Sequence, residues 1–307
     1  MESRESFNKL LKDVTNQMTN SVSFVNSYMK DKHGQAFEKA TAKNYIQILT
    51  GETLWHNFSF QYKDMIHGLA ITQNCKDYDL LLKEAYKMKE KVECFLKQFV
   101  YDEIQEVYLV TSRNYDKIIE GVYTWNEFSS EERTAIHTML IYRQGESFPL
   151  LYERALHVKK EVDTFIHQYL LDIKGEQFIK VDCDNYKAIL SAEPIWLKKN
   201  SLIQEAIDRK LKQPTYEQLL NGSKMLLEST KQFIQAYIMD EEHELYETVT
   251  NANYHQILQG RTIWKRMTAN QRDIINQFLL MKERKIYEDM LDDAKVLEYE
   301  MSSRISV

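Results

Sequence analysis

Apolar residues along the chain recur at three- and four-residue spacings, the period of helices that bury one face. From Tyr78, the positions Leu81, Leu82, Ala85, Met88, Val92, Phe95 and Phe99 keep a single stripe, predicting a long helix over 77–100. A shorter stripe, Tyr45, Ile48 and Leu49, predicts a helix capped by Thr41 that stops near Gly51. Glycine suits the left-handed residue that closes many helices. Between these two lies a middle segment, and its counterparts further along the chain open with plain capping boxes at Ser129…Glu132 and Thr268…Gln271.

The same three-helix pattern recurs along the chain. All four tryptophans close one motif, Asn-Tyr-x-x-Ile-Leu/Ile-x-Gly/Ala-x-x-x-Trp. Its copies run from Asn44-Tyr45 to Trp55, Asn114-Tyr115 to Trp125, Asn185-Tyr186 to Trp196, and Asn253-Tyr254 to Trp264. The tryptophans stand 70, 71 and 68 residues apart. Eleven residues beyond each is an isoleucine: Ile66, Ile136, Ile207 and Ile275. An aromatic opens each third segment (Tyr78, Phe148, Tyr216, Tyr287), and seventeen residues past the first three come Phe95, Phe165 and Phe233. The start of the chain fits the template too, with Phe7, Leu10, Leu11, Phe24 and Tyr28 in the columns of a third segment.

The expected fold is therefore all-α: a tandem array of about four three-helix units of period 68–71, preceded by one helix. The expected boundaries are 1–30 for that helix, then units at 31–101, 102–171, 172–239 and 240–307. An α-solenoid of stacked helix pairs is the alternative, because Asn44-Tyr45 and Asp77-Tyr78 are 33 residues apart and faintly alike. The joints between units are short and carry one apolar anchor each: Phe37, Tyr108, Phe178 and Tyr246. No Gly/Ser/Pro-rich linker separates them, which predicts neighbours in fixed contact.

Composition agrees with helices. Only 8 Gly and 3 Pro occur in 307 residues, too few for the turns of an all-β fold. The formal charge of -6, without a basic stripe, argues against nucleic acid as a partner. Three cysteines without metal-ligand spacing read as free thiols of a reducing compartment. No apolar run is long enough for a membrane span. The N-terminus has no secretory signal pattern, so the expected location is the cytoplasm if the chain is complete. It is the cell surface if the chain is a segment of a larger exported protein.

Candidate chemistry is sparse. The tryptophans read as the centre of each core, with Ile66, Ile136, Ile207, Ile275, Phe95, Phe165 and Phe233 around them. The Asn-Tyr pairs read as junction residues, Asn bonding free backbone groups of the preceding joint. A shared binding patch for a repetitive ligand is the other reading of Asn44, Tyr45, Asn114, Tyr115, Asn185, Tyr186, Asn253 and Tyr254. Glu153, His157 and Glu161 have metal-like spacing, but the aligned columns hold lysines in the first unit, so a solvated face is expected. No catalytic residue, cofactor or metal is expected. The third unit departs from the pattern at Pro194 and Lys199, predicting a distorted joint between its first two helices.

The motif, the isoleucine eleven residues on, and Tyr-Glu-x-Leu-Leu (residues 216–220; Tyr287-Glu288-Asp289-Met290-Leu291 is close to it) resemble helical repeats. Such repeats stand in tandem in large, often surface, proteins of Gram-positive bacteria. That resemblance implies a three-helix unit and a spacer or interaction role, with a protein or a glycan-like polymer as partner. The alternatives are a small-molecule binder or enzyme sited in the third unit, and a solenoid peptide-binding adaptor.

Overall fold

The computed structural model describes residues 2–305, with side-chain surroundings from 6 to 303. The described chain is all-helical and contains no strand, only isolated bridges at four joints. After α1 (Glu2–Tyr28) come α2 (Tyr45–Thr50), α3 (Glu52–Asn57), α4 (Phe60–Thr72) and α5 (Tyr78–Phe99). Next follow α6 (Tyr115–Glu127), α7 (Ser130–Tyr142) and α8 (Phe148–Tyr169). Then come α9 (Tyr186–Ser191), α10 (Glu193–Trp196), α11 (Ser201–Leu211) and α12 (Tyr216–Tyr237). The last are α13 (Tyr254–Arg266), α14 (Ala269–Met281) and α15 (Tyr287–Ile305). They gather into two compact bodies, Met1–Lys159 and Lys160–Val307.

Local chemistry sets the helix starts. Four residues after each tryptophan an N-cap side chain accepts an amide hydrogen bond: Ser59 from Tyr62, Ser129 from Glu132, Asn200 from Ile203, Thr268 from Gln271. Each satisfies an amide that the first helical turn leaves free. Ser129 and Thr268 close full capping boxes. Backbone and hydroxyl bonds from Ser129, then the Lys91 ammonium at 3.0 Å, hold the Glu132 carboxyl down to about 2.

Two expectations about the motif helix need correction. It begins at the tyrosine, not at Thr41, because residues 41–44 form a turn in which Thr41 O accepts from Asn44 N and Tyr45 N. Nor does it close on a left-handed glycine. Gly51 has φ −77, Gly121 and Gly260 lie inside α6 and α13, and helix continues through the tryptophan. The glycine is there for close packing instead. A Cβ on Gly51 would meet the Tyr78 hydroxyl at 2.6 Å and the Tyr28 ring at 2.7 Å, and one on Gly121 would meet Phe99 at 2.9 Å. The third motif copy is broken at Ala192, but so is the first at Gly51, so Pro194 alone does not cause the break.

Each tryptophan lies in an aromatic cluster. Phe24 packs on Trp55 at 5.7 Å and Trp55 on Tyr78 at 5.0 Å. Phe95, Trp125 and Phe148 repeat the arrangement in the first body. Phe165, Trp196 and Tyr216, then Phe233, Trp264 and Tyr287, repeat it in the second. The clusters cross all four boundaries drawn from sequence, at 30/31, 101/102, 171/172 and 239/240, which Phe24, Phe95, Phe165 and Phe233 precede in turn. Within the first body, the N-terminal half of α5 gives Tyr78 to the Trp55 cluster and its C-terminal half gives Phe95 to the Trp125 cluster. In the second body α12 does the same, with Tyr216 at Trp196 and Phe233 at Trp264. A helix of 22 residues is about 33 Å long, enough to serve two adjacent cores.

Candidate functional site

The asparagines are the most uniform feature. Each is buried and accepts from the amide three residues earlier: Asn44 from Thr41, Asn114 from Thr111 at 2.8 Å, Asn185 from Asp182 at 3.0 Å, Asn253 from Thr250 at 2.8 Å. Each also donates its amide nitrogen to a joint carbonyl five residues earlier, on Lys39, Leu109, Lys180 and Thr248. Asn114 donates further to Val100 O at 2.6 Å, reaching the end of α5. None serves as a side-chain cap of its helix. Asn is suited to this because one planar amide supplies both a donor and an acceptor. Aspartate would lose the donor.

The paired tyrosines Tyr45, Tyr115, Tyr186 and Tyr254 are buried as well, so the Asn-Tyr pairs present no exposed patch. Tyr45 donates its hydroxyl to Ala135 O at 3.0 Å, tying α2 to α7. Trp55, Trp196 and Trp264 are each 4% exposed, Ile66, Ile136, Ile207 and Ile275 are buried, and Ile275 shares a core cluster with Trp264. Trp125 is only half-buried, with the Arg133 guanidinium 5.8 Å from its ring. The three cluster tyrosines that open long helices also carry a polar bond: Tyr78 to Ile48 O, Tyr216 to Ile189 O, and Tyr287 to Ile257 O. Burial raises the ionisation of these phenols well above its ordinary value. Phe148 stands in the equivalent place without a hydroxyl.

Two polar columns were not singled out from sequence. At each joint an aspartate folds the loop with one oxygen: Asp31 takes the amides of His33 and Gln35, Asp172 those of Lys174 and Glu176, Asp240 those of Glu242 and Glu244. Asp102 takes Ile104 and Gln105 and adds the Thr111 hydroxyl at 2.6 Å. Burial opposes the Asp102 charge, but these bonds prevail and its carboxyl sits below the usual range. The signal was available, since the four aspartates recur at the tryptophan period.

The second column lies twelve residues after each tryptophan: His67, His137, Asp208 and Asn276. Asp208 and Asn276 accept the amides of Tyr216 and Tyr287 at the start of the next long helix. His67 reaches the same place differently, its Nδ1 lying 2.6 Å from the Asp77 carboxylate that caps α5. Unlike chemistry in one column hid the place that His67, Asp208 and Asn276 share at a long-helix start. Burial pushes the Asp208 carboxyl up despite the Tyr216 amide.

Where the pattern departs, the side chains are paired with others. The Lys199 ammonium lies on Glu161, and Glu193 takes Lys224 at 2.5 Å. Among the described residues no three His, Cys, Asp or Glu side chains converge to hold a metal ion, and Glu153, His157 and Glu161 form no such site. Cys75, Cys94 and Cys183 are free thiols. A cleft of about 350 Å³ opens beside α5, floored by Met88, Val92, Phe128 and Ile136 and edged by Lys87 and Glu131. No described helix is long and apolar enough to cross a membrane. No protein-family model, curated protein or solved structure matches the chain.

Proposed function

We propose that the chain is a non-enzymatic array of four copies of one helical unit, acting as a structural spacer or as a scaffold for a protein partner. One observation carries this reading: α5 and α12 each place an aromatic in two successive tryptophan clusters. Residues shared in this way couple neighbouring cores, as expected of a repeat array whose stability is a sum of units and the contacts between them. The columns that recur most strictly are spent on building, with the asparagines on joint carbonyls and Trp55, Trp196 and Trp264 inside cores. The resemblance to tandem repeats of large Gram-positive bacterial proteins supports the same role.

The test uses two full-length variants, each keeping one tryptophan of the second body, Trp196 or Trp264, with the other three changed to phenylalanine. Indole fluorescence is followed through urea unfolding. Coupling through α12 predicts coincident midpoints; separate midpoints would break the array reading. Turnover of a substrate that is lost on changing one exposed residue, at unchanged stability, would overturn the non-enzymatic part.

A further inference from the structure

The N-terminal half of α1 carries the stripe Phe7, Leu10, Leu11 and Val14. These side chains are 64%, 64%, 56% and 47% exposed. Counting back seventeen residues from the cluster phenylalanines puts them in register with Tyr78, Leu81, Leu82 and Ala85 of α5. They are equally in register with Tyr216, Leu219, Leu220 and Ser223 of α12. Every one of those eight counterparts is buried, none more than 7% exposed. The corresponding residues of α15, Tyr287, Met290, Leu291 and Ala294, are buried too. In the C-terminal half of α1 the pattern holds normally, with Phe24 and Val25 inside the Trp55 core. Only the leading half lacks its cover.

The interior of the molecule shows what that cover is. Tyr78 lies against the α2–α3 face, its hydroxyl on Ile48 O and its ring on Trp55. Tyr216 lies likewise on Ile189 and Trp196, and Tyr287 on Ile257 and Trp264. A second copy cannot supply such a face, because each tryptophan face already holds its own long helix, Phe148 filling the place on Trp125. We propose that the N-terminal half of α1 is a docking surface for one further helix hairpin of the same kind. That partner segment carries the Tyr-x-x-Ile-x-x-Gly/Ala-x-x-x-Trp face with no long helix of its own upon it. Phe7, lacking a hydroxyl, sits on its tryptophan as Phe148 does, and Leu10 and Leu11 fill the places of Leu219 and Leu220. The inference rests on the array reading, because it uses the register between copies.

The test supplies the hairpin. Residues 160–215 are duplicated and joined directly before Phe7 of the otherwise complete chain, so that Phe7 follows Thr215 as Tyr216 does. Backbone amide exchange of residues 10–18 is measured with and without the added segment. Docking slows exchange there by about a hundredfold, to the level of buried helices. Leu10→Asp with Leu11→Asp in the extended chain restores fast exchange. Exchange that stays fast in the extended chain overturns the proposal, whatever state the added segment adopts. Sedimentation equilibrium of the unextended chain should show monomer; a dimer dissolved by Leu11→Asp would mean that a second copy covers the stripe, which also overturns it. Coincident tryptophan midpoints with failed protection would sink this inference alone and leave the array reading standing.

Discussion

At the scale of the residue, glycine shows how position decides the sign of a substitution. Gly260 lies where α13 meets Tyr237 and Tyr287, and an added Cβ would be 2.8 Å from the Tyr237 ring and against the Tyr287 hydroxyl. Gly68, inside α4, has nothing within 4 Å of an added Cβ. Gly260→Ala should therefore destabilise by about 1–3 kcal/mol through overpacking. Gly68→Ala should stabilise by about 0.5–1 kcal/mol, because alanine loses less backbone entropy in a helix. Urea midpoints at a common m-value check both, and equal signs would refute the close-packing account of the motif glycine. The sequence showed the glycine column but suggested a helix terminus. The bulk on the other side comes from the long helices, one 23 residues before the glycine and one 27 after it, so local pattern could not reveal it.

At the scale of the element, α12 and α15 each have their first amide held by a polar residue of the helix before them. For α12 that residue is Asp208, whose carboxylate takes the Tyr216 amide while burial raises its ionisation. A carboxyl whose folded pKa lies above its unfolded one costs stability as pH rises through that folded value. Asp208→Asn keeps the acceptor, as Asn276 does for Tyr287, and removes the buried charge. Thermal midpoints should then rise in the variant at pH 7 and match the parent near pH 3, where Asp208 is protonated in both states. A variant no more stable at pH 7 would show that the charge is adequately solvated. Sequence made the starts of the middle helices plain through Ser129 and Thr268, because a capping box is local. The Asp208 contact spans a turn between two helices, and its column varies in chemistry, so it went unread.

For the whole molecule, α5 and α12 each place an aromatic in two clusters, and the array reading predicts that damage to one core is felt in the next. Trp264→Ala should cost about 3–5 kcal/mol, the usual loss for a large buried aromatic. Phe233 loses its partner, and α12 carries the effect toward Trp196. The Trp196 fluorescence midpoint should fall with it; a fixed midpoint would argue for independent cores. Trp125→Ala should lie at the lower end of that range, since the indole is only half-buried.

The sequence by itself determined that the chain is helical and showed that its tryptophans, isoleucines and phenylalanines recur at one period. Helical periodicity and N-capping are properties of neighbouring residues, so they are written within a few positions of one another. Tertiary structure alone decided which columns meet: that clusters draw on long helices from both sides of a joint, that the asparagines clasp loops from inside, and that the α1 stripe stays bare. Those outcomes depend on which surfaces come together across some 20 to 90 residues of chain, a distance over which a pattern in sequence carries register but not contact.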